Sequence, residues 1–147
     1  MATFIAATQA AAFDWVSAEL SPTTEFAANL DQWSDDRLAA WIPLTADAAD
    51  APHKNTTVLI VAMDASTATR LANRAFAETA KAPDADLLPD FVAEVANLIA
   101  GRAKALTLGT RAHFRLGVPT AGTPPSGEYL VSMLAGDVGE VVVALSN

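Results

Sequence analysis

Two polar residues, Glu94 and Asn97, stand three positions apart in a stretch composed mainly of alanine and larger apolar residues. In a helix, side chains at this spacing project from the same face on neighbouring turns. A carboxylate can pair with a cation on another molecule, and a carboxamide can donate and accept hydrogen bonds while staying uncharged. Such a pair could enter a cleft on another protein. The alternative is that both residues belong to the solvated side of an amphipathic helix.

Small residues dominate the surroundings of this pair. Proline suits the first turn of a helix and glycine its end, so Pro89 and Gly109 predict a helix over residues 89–106. On a helical wheel the larger apolar residues gather on one side, and these are Phe91, Val92, Val95, Leu98, Ile99 and Leu106. The other side holds Glu94, Asn97, Gly101 and Lys104, with Ala93 and Ala100 beside them.

Gly101 costs this helix about 1 kcal/mol of propensity relative to alanine. A glycine in the middle of a helix indicates close approach, either by a partner or by another element of the same chain. The sequence therefore predicts a flat helical surface from which two polar side chains can enter a cleft on another protein. The surrounding positions that we expect to contact this partner are Ala93, Ala100, Gly101 and Lys104.

The stretch 91–106 resembles the signature helix of the CheX branch of the CheC/CheX/FliY chemotaxis phosphatases. The core of that signature is Glu-x-x-Asn, then a glycine four residues later and a lysine three residues after the glycine. These positions are Glu94, Asn97, Gly101 and Lys104 in this sequence. Residues 114–122 also resemble the strand of this family that ends in a proline, with a glycine shortly after.

The resemblance implies an enzyme that hydrolyses the aspartyl-phosphate of a CheY-type response regulator, with no cofactor or metal of its own. Asn97 would orient the attacking water, and Glu94 would pair with a lysine beside the phosphorylated aspartate. Mg²⁺ bound to the partner would neutralise the developing charge. An acyl phosphate is already reactive, so positioning a water is most of the catalysis that remains. The resemblance also implies a homodimer.

Some members of the wider family carry a second Glu-x-x-Asn in their first long helix. Here Asp14 and Ser17 keep that spacing but lack the amide, so we expect one active site per chain. Two other functions remain open. The helix could bind a response regulator without catalysis, or the chain could be a flagellar-switch-type scaffold of the same fold.

The helices and strands predicted along the chain indicate an α+β fold with two helix-plus-strand halves. The resemblance implies a fold of the CheC/CheX type, with a largely antiparallel sheet flanked by long helices. The 147 residues, 52% of them apolar, suit a single domain spanning 1–147. Helices are predicted over 4–20, from Asp64 or Ser66 to about 80, and over 89–106; strands over 38–44, 56–63, 112–118, 129–135 and 138–145. Gly136-Asp137 is predicted to form a two-residue hairpin turn. The run 141–145 could be an exposed edge, a strand paired across a dimer, or an internal strand.

Composition excludes several functional classes. The net charge of −8 disfavours binding to nucleic acid, and the absence of cysteine excludes disulfides and thiolate chemistry. No apolar run approaches the roughly 20 residues of a membrane helix, and no basic residue precedes the first apolar stretch. We therefore expect a soluble, cytoplasmic protein that binds neither nucleic acid nor membranes. Isolated polar and aromatic residues predict surface or core roles rather than a metal site, and these are His53, His113, Asp35, Asp36, Trp15, Trp33 and Trp41.

Overall fold

The computed structural model describes residues 20–30, 37–46, 56–75, 85–106, 114–137 and 139–146. Seven strands lie in this part of the chain: β1 (Leu20–Leu30), β2 (Arg37–Ala46), β3 (Thr56–Asp64), β4 (Phe114–Leu116), β5 (Thr120–Ala121), β6 (Gly127–Gly136) and β7 (Gly139–Ser146). Two α-helices accompany them: α1 (Ala65–Ala75) and α2 (Leu88–Leu106), the second preceded by a 3₁₀ turn (Ala85–Leu87). All strands pair antiparallel in the order β1-β6-β7-β3-β2-β4, and β5 also pairs with β2. The predicted α+β, largely antiparallel fold is confirmed.

The sheet is buried on both of its faces. Along β3, Leu59 and Val61 point to the face on which α1 and α2 pack, whereas Ile60 and Ala62 belong to a separate apolar cluster. Neighbouring residues of a strand point to opposite faces, so the second cluster lies on the other side of the sheet. This explains why residues 56–63 form a nearly continuous apolar run rather than an alternating one.

Helix α1 begins directly after β3 because Asp64 caps it. The backbone N–H of Thr67 donates to Asp64 Oδ1 at 2.7 Å, which satisfies one of the unpaired amides of the first turn. This hydrogen bond, reinforced by the Thr67 side chain, lowers the pKa of Asp64 below its usual value of 3.8. Of the two predicted caps, Asp64 is therefore correct and Ser66 is not. Leu71 of this helix is buried in the apolar cluster between the helices and the sheet.

Helix α2 starts one residue before the predicted boundary and ends at the predicted one. Pro89 lies in its first turn, where its missing N–H costs no hydrogen bond. The side of α2 that contacts β2 and β3 carries Val92, Val95 and Ile99, all of them buried. The predicted apolar side needs one correction, since Leu98 is 36% exposed.

Strand β1 was not expected from the sequence, where residues after Ser21-Pro22 resemble a polar connection. It pairs with β6 from Leu20 to Leu30, with a register shift between Pro22 and Thr24. Proline cannot donate to a ladder, and bulges are among the places where a strand accepts it.

Pro43 lies inside β2 rather than near its end. Its partner in β3, Val58, directs its own N–H to Ser146 Oγ at 2.7 Å and so away from Pro43. The Pro43 carbonyl points to the opposite edge, where it accepts a hydrogen bond from Gly117 N at 2.7 Å. Because the N–H and C=O of a strand residue share one edge, no bond between β2 and β3 is lost.

The C-terminal strands differ from the predicted ones in detail. The predicted turn Gly136-Asp137 needs a correction, because Gly136 pairs with Gly139 and so belongs to β6 rather than to the turn. In the described part of the predicted strand 112–118, β4 ends at Leu116 rather than at residue 118, and the separate β5 follows. β7 is hydrogen-bonded to β6 on one side and to β3 on the other, so the run 141–145 is an internal strand.

Several predictions lie outside the described residues, namely the helix over 4–19 with Asp14, Trp15 and Ser17, the end of α1 beyond 75, and Trp33, Asp35, Asp36, His53 and His113.

Candidate functional site

Helix α2 presents the two predicted site residues to solvent. Glu94 is exposed and Asn97, one turn later, is half-buried. Ala93, Gly101 and Lys104 are half-buried as well, so they border the pair on the same side of the helix. The structure thus brings together on one surface five of the six residues that the sequence singled out.

Ala100 is the exception. It is 0% exposed and belongs to the apolar cluster between the helices and the sheet. A partner could not reach its side chain, so the prediction that Ala100 contacts the partner is wrong. Alanine suits this position because it lets α2 pack closely on the sheet.

The surface around Gly101 is open. A Cβ built on Gly101 would meet no atom of the described chain within 4 Å, apart from the backbone of the helix itself. Of the two explanations for a mid-helix glycine, close approach by another element of the chain is therefore excluded for the described residues. Approach by a second molecule remains.

Leu98 is a member of the exposed surface that the sequence analysis missed. It follows Glu94 by four residues, and the exposed positions of α2 recur at this interval as Asp90, Glu94, Leu98 and Arg102. The signal that could have found it lies in the alanines, since Ala96, Ala100 and Ala103 are all fully buried. Counting them as core residues turns the buried side of the helix away from Leu98.

A short segment, residues 117–122, lies beside α2 between β4 and the end of β5. Gly117 N donates to Pro43 O at 2.7 Å, and Gly122 N donates to Ala39 O at 2.9 Å. Between these two bonds, β5 pairs with β2 and contacts α2. The 117–122 segment is therefore fixed to the edge of the sheet, next to the helix that carries Glu94 and Asn97.

Within the described residues there is no cluster of three or more His, Cys, Asp or Glu that could hold a metal ion. Nor does that part of the chain contain a helix long and apolar enough to span a membrane. The groups that this surface offers for chemistry are the carboxylate of Glu94 and the carboxamide of Asn97, with the ammonium of Lys104 on the same side of the helix.

Comparison with known proteins decides the family. A sequence profile described as chemotaxis phosphatase CheX matches residues 54–137, which is more than half of the chain. The chain belongs to the CheX family. The matched region runs from just before β3 to just after β6, so it includes α2 and the 117–122 segment.

Solved structures of CheX-family and CheC-like proteins share the fold. A CheC-like superfamily protein from Shewanella sp. PV-4 superposes with a TM-score of 0.73 at 15% identity, covering 97% of this chain and 96% of that one. CheX from Desulfovibrio desulfuricans gives 0.69 at 14% identity, with 97% of each chain covered. A complex of CheX with CheY, BeF₃ and Mg²⁺ from Borrelia burgdorferi gives 0.67 at 17% identity, covering 98% and 94%. The comparison with curated proteins yields no match.

Proposed function

We propose that this protein is a phosphatase that removes the phosphoryl group from the aspartyl-phosphate of a CheY-type response regulator in the cytoplasm. The observation that carries the proposal is the placement of Glu94 and Asn97 on the open side of α2, in a chain of the CheX family. The complex of CheX with CheY from Borrelia burgdorferi supports the class of partner.

Asn97 is the residue to which we assign the orientation of the attacking water. Its carbonyl oxygen can accept a hydrogen bond from the water while its amide group donates to a phosphoryl oxygen. A neutral side chain can lie against phosphoryl oxygens without the repulsion that a carboxylate would cause. Positioning of this kind can supply a large share of the rate enhancement, because the entropy of bringing the reactants together is paid on docking.

Glu94 is assigned to docking and alignment. As an exposed carboxylate one turn before Asn97, it can form a charge-assisted hydrogen bond with a lysine of the regulator. Such a pair fixes the register of α2 on its partner, so that Asn97 reaches the phosphoryl group. In this proposal the Mg²⁺ ion and the phosphorylated aspartate both belong to the regulator.

A non-catalytic binding module or a scaffold would also need an exposed helix, so the fold alone does not separate these functions. The difference lies at Asn97, since a scaffold has no use for a group that orients water. We also propose that the chain forms a homodimer, as its resemblance to the family implies.

The decisive experiment follows the decay of phosphorylated response regulators of the same organism, with and without the protein. We expect Asn97→Ala to abolish the stimulated release of phosphate and Asn97→Asp to do the same, since the isosteric carboxylate repels the phosphoryl oxygens. Both variants should keep the melting temperature of the wild type, because Asn97 is half-buried on the surface of α2. Stimulated release that survives in Asn97→Ala would contradict the assigned role.

Glu94→Ala belongs in the same assay with a second readout, the affinity for a regulator loaded with beryllofluoride and Mg²⁺. We expect weaker binding together with slower turnover, whereas Asn97→Ala should retain most of the binding. Unchanged affinity of Glu94→Ala would show that the carboxylate has no part in docking. A wild-type protein that binds the loaded regulator but never accelerates hydrolysis would favour the binding-module function.

A further inference from the structure

Among the described residues, the most exposed large apolar side chain lies in the segment beside α2, the helix that carries the proposed site. Val118, in the 117–122 segment, is 78% exposed. A single exposed valine is ordinary on a protein surface. The unusual feature of Val118 is how firmly the chain holds it.

Backbone hydrogen bonds fix the 117–122 segment on both sides of Val118, at Gly117 and at Gly122. Gly117 lies so close to β2 that a Cβ at this position would overlap the ring of Pro43. Pro119 restricts its own backbone and that of Val118 to extended conformations. Valine itself is stiff at χ1. An apolar side chain presented in this way loses little conformational entropy when a partner covers it.

The partner that we expect to cover it is the response regulator. A stable interface buries about 800 Å² on each side, which is more than the exposed side of one helix of this length can supply. Helix α2 contacts both β4 and β5, so the 117–122 segment lies beside the helix that carries Glu94 and Asn97. We expect a protein seated on α2 to extend over this neighbouring segment.

We infer that Val118 is a docking residue, which packs against an apolar part of the regulator beside the pocket that Asn97 enters. For the identity of the partner, this inference rests on the proposed function. Val118 strengthens binding and takes no part in hydrolysis. Its contribution falls on KM and on the affinity for the regulator, and kcat does not depend on it.

The test measures kcat, KM and the dissociation constant for a CheY-type regulator of the same organism, loaded with beryllofluoride and Mg²⁺ for the binding assay. Val118→Ala removes two methyl groups, so we expect KM and the dissociation constant to rise about tenfold. The value of kcat should stay within about twofold of the wild type. Val118→Thr keeps the β-branched shape but not the apolar character, and it should weaken binding in the same direction. Asn73→Ala, on the exposed side of α1, serves as the matched control and should change neither kcat, KM nor the dissociation constant.

The outcomes separate this inference from the proposed function. If Asn97→Ala abolishes turnover while Val118→Ala leaves both KM and affinity unchanged, the docking role is overturned and the phosphatase stands. If the wild type shows no turnover but Val118→Ala still weakens binding to the loaded regulator, the phosphatase is overturned and the docking role stands. A loss in kcat alone for Val118→Ala, or an equal loss of affinity for Asn73→Ala, also overturns the docking role.

Discussion

The unequal exposure of Asn97 and Glu94 suits the two roles proposed for them. Asn97 is half-buried, so its neighbours restrict the rotamers it can adopt, whereas Glu94 is exposed. A group that orients water has to be held in one geometry, because the gain from proximity is lost when the reacting atoms are misplaced. A carboxylate that seeks a lysine on an incoming partner benefits from a longer reach. The side chain with fewer accessible rotamers, Asn97, is thus the one whose position the proposed reaction depends on.

Substitutions at Gly101 test whether a partner binds against the open surface of α2. Because a Cβ there meets nothing within 4 Å, Gly101→Ala should raise the free energy of unfolding by about 0.5–1 kcal/mol through helix propensity. Gly101→Lys should give a similar gain in stability, but its long side chain would stand where the partner must approach. We expect it to raise the dissociation constant for the beryllofluoride-loaded regulator by at least about tenfold.

The two variants control for one another, since they share the gain in helix propensity and differ in bulk. Urea denaturation gives the stability of each, and the binding assay gives the affinity. Turnover and binding of Gly101→Lys equal to those of Gly101→Ala would show that no partner comes close to this side of α2.

At the scale of secondary-structure elements, local signals in the sequence predicted the helix that carries Glu94 and Asn97, but not every element that surrounds it. Helix α2 is bounded by Pro89 and by a glycine-containing stretch, so its boundaries could be predicted within a residue. Strand β1 contains proline, alanine and asparagine, which strands disfavour, and it forms by pairing with β6, more than 90 residues further along the chain. No local sequence pattern indicates pairing between strands so far apart in the chain.

The exposure of Leu98 and the burial of Ala100 do not follow from the larger apolar residues of α2, for a related reason. Both depend on which side of α2 the sheet occupies, and in an alanine-rich helix the closest packing falls on the small residues. The larger apolar residues alone therefore place the centre of the buried side wrongly. Val118 could not be singled out from the sequence for the same reason, because the hydrogen bonds that hold its segment against β2 join residues far apart in the chain.

The Asp64 cap of α1 is expected to make the stability of the protein depend on pH in the acid range. The pKa of Asp64 is lowered in the folded protein by its hydrogen bonds with Thr67. The stability gained from the ionised carboxylate is therefore complete above the ordinary value of 3.8 and is lost as the pH falls through the lower pKa of the folded state. At neutral pH, Asp64→Ala should cost about 1 kcal/mol because the cap is lost.

Asp64→Asn is the matched variant, since its amide oxygen can still accept from Thr67 N but cannot be protonated in this range. Urea denaturation from neutral pH down to about pH 2.5 should show a smaller acid-induced loss for Asp64→Asn than for the wild type. Parallel curves for the two proteins would mean that other carboxylates dominate the acid dependence and that the Asp64 bond contributes little.

At the scale of the whole molecule, the strand order limits how two copies could join. Both edges of β7 are occupied, by β6 and β3. In the described part of the chain, β1 pairs only with β6, and β2 carries β4 and β5 at the opposite end of the sheet. A homodimer that extends the sheet would therefore have to use one of these outer strands, because an unpaired edge is what accepts another strand.

The proposed homodimer and the internal position of β7 can be tested together. We expect sedimentation velocity at micromolar concentration to give twice the mass of one chain, and Val143→Thr to leave this mass unchanged. Val143 is 4% exposed and faces the two helices, so a hydroxyl there should lower the free energy of unfolding by about 1–3 kcal/mol. A wild-type protein that sediments as a single chain at these concentrations would contradict an obligate dimer. If Val143→Thr kept the stability of the wild type but dissociated into monomers, β7 would instead lie at the interface between copies. The hydrogen bonds that pair β7 with β6 and β3 argue against that outcome.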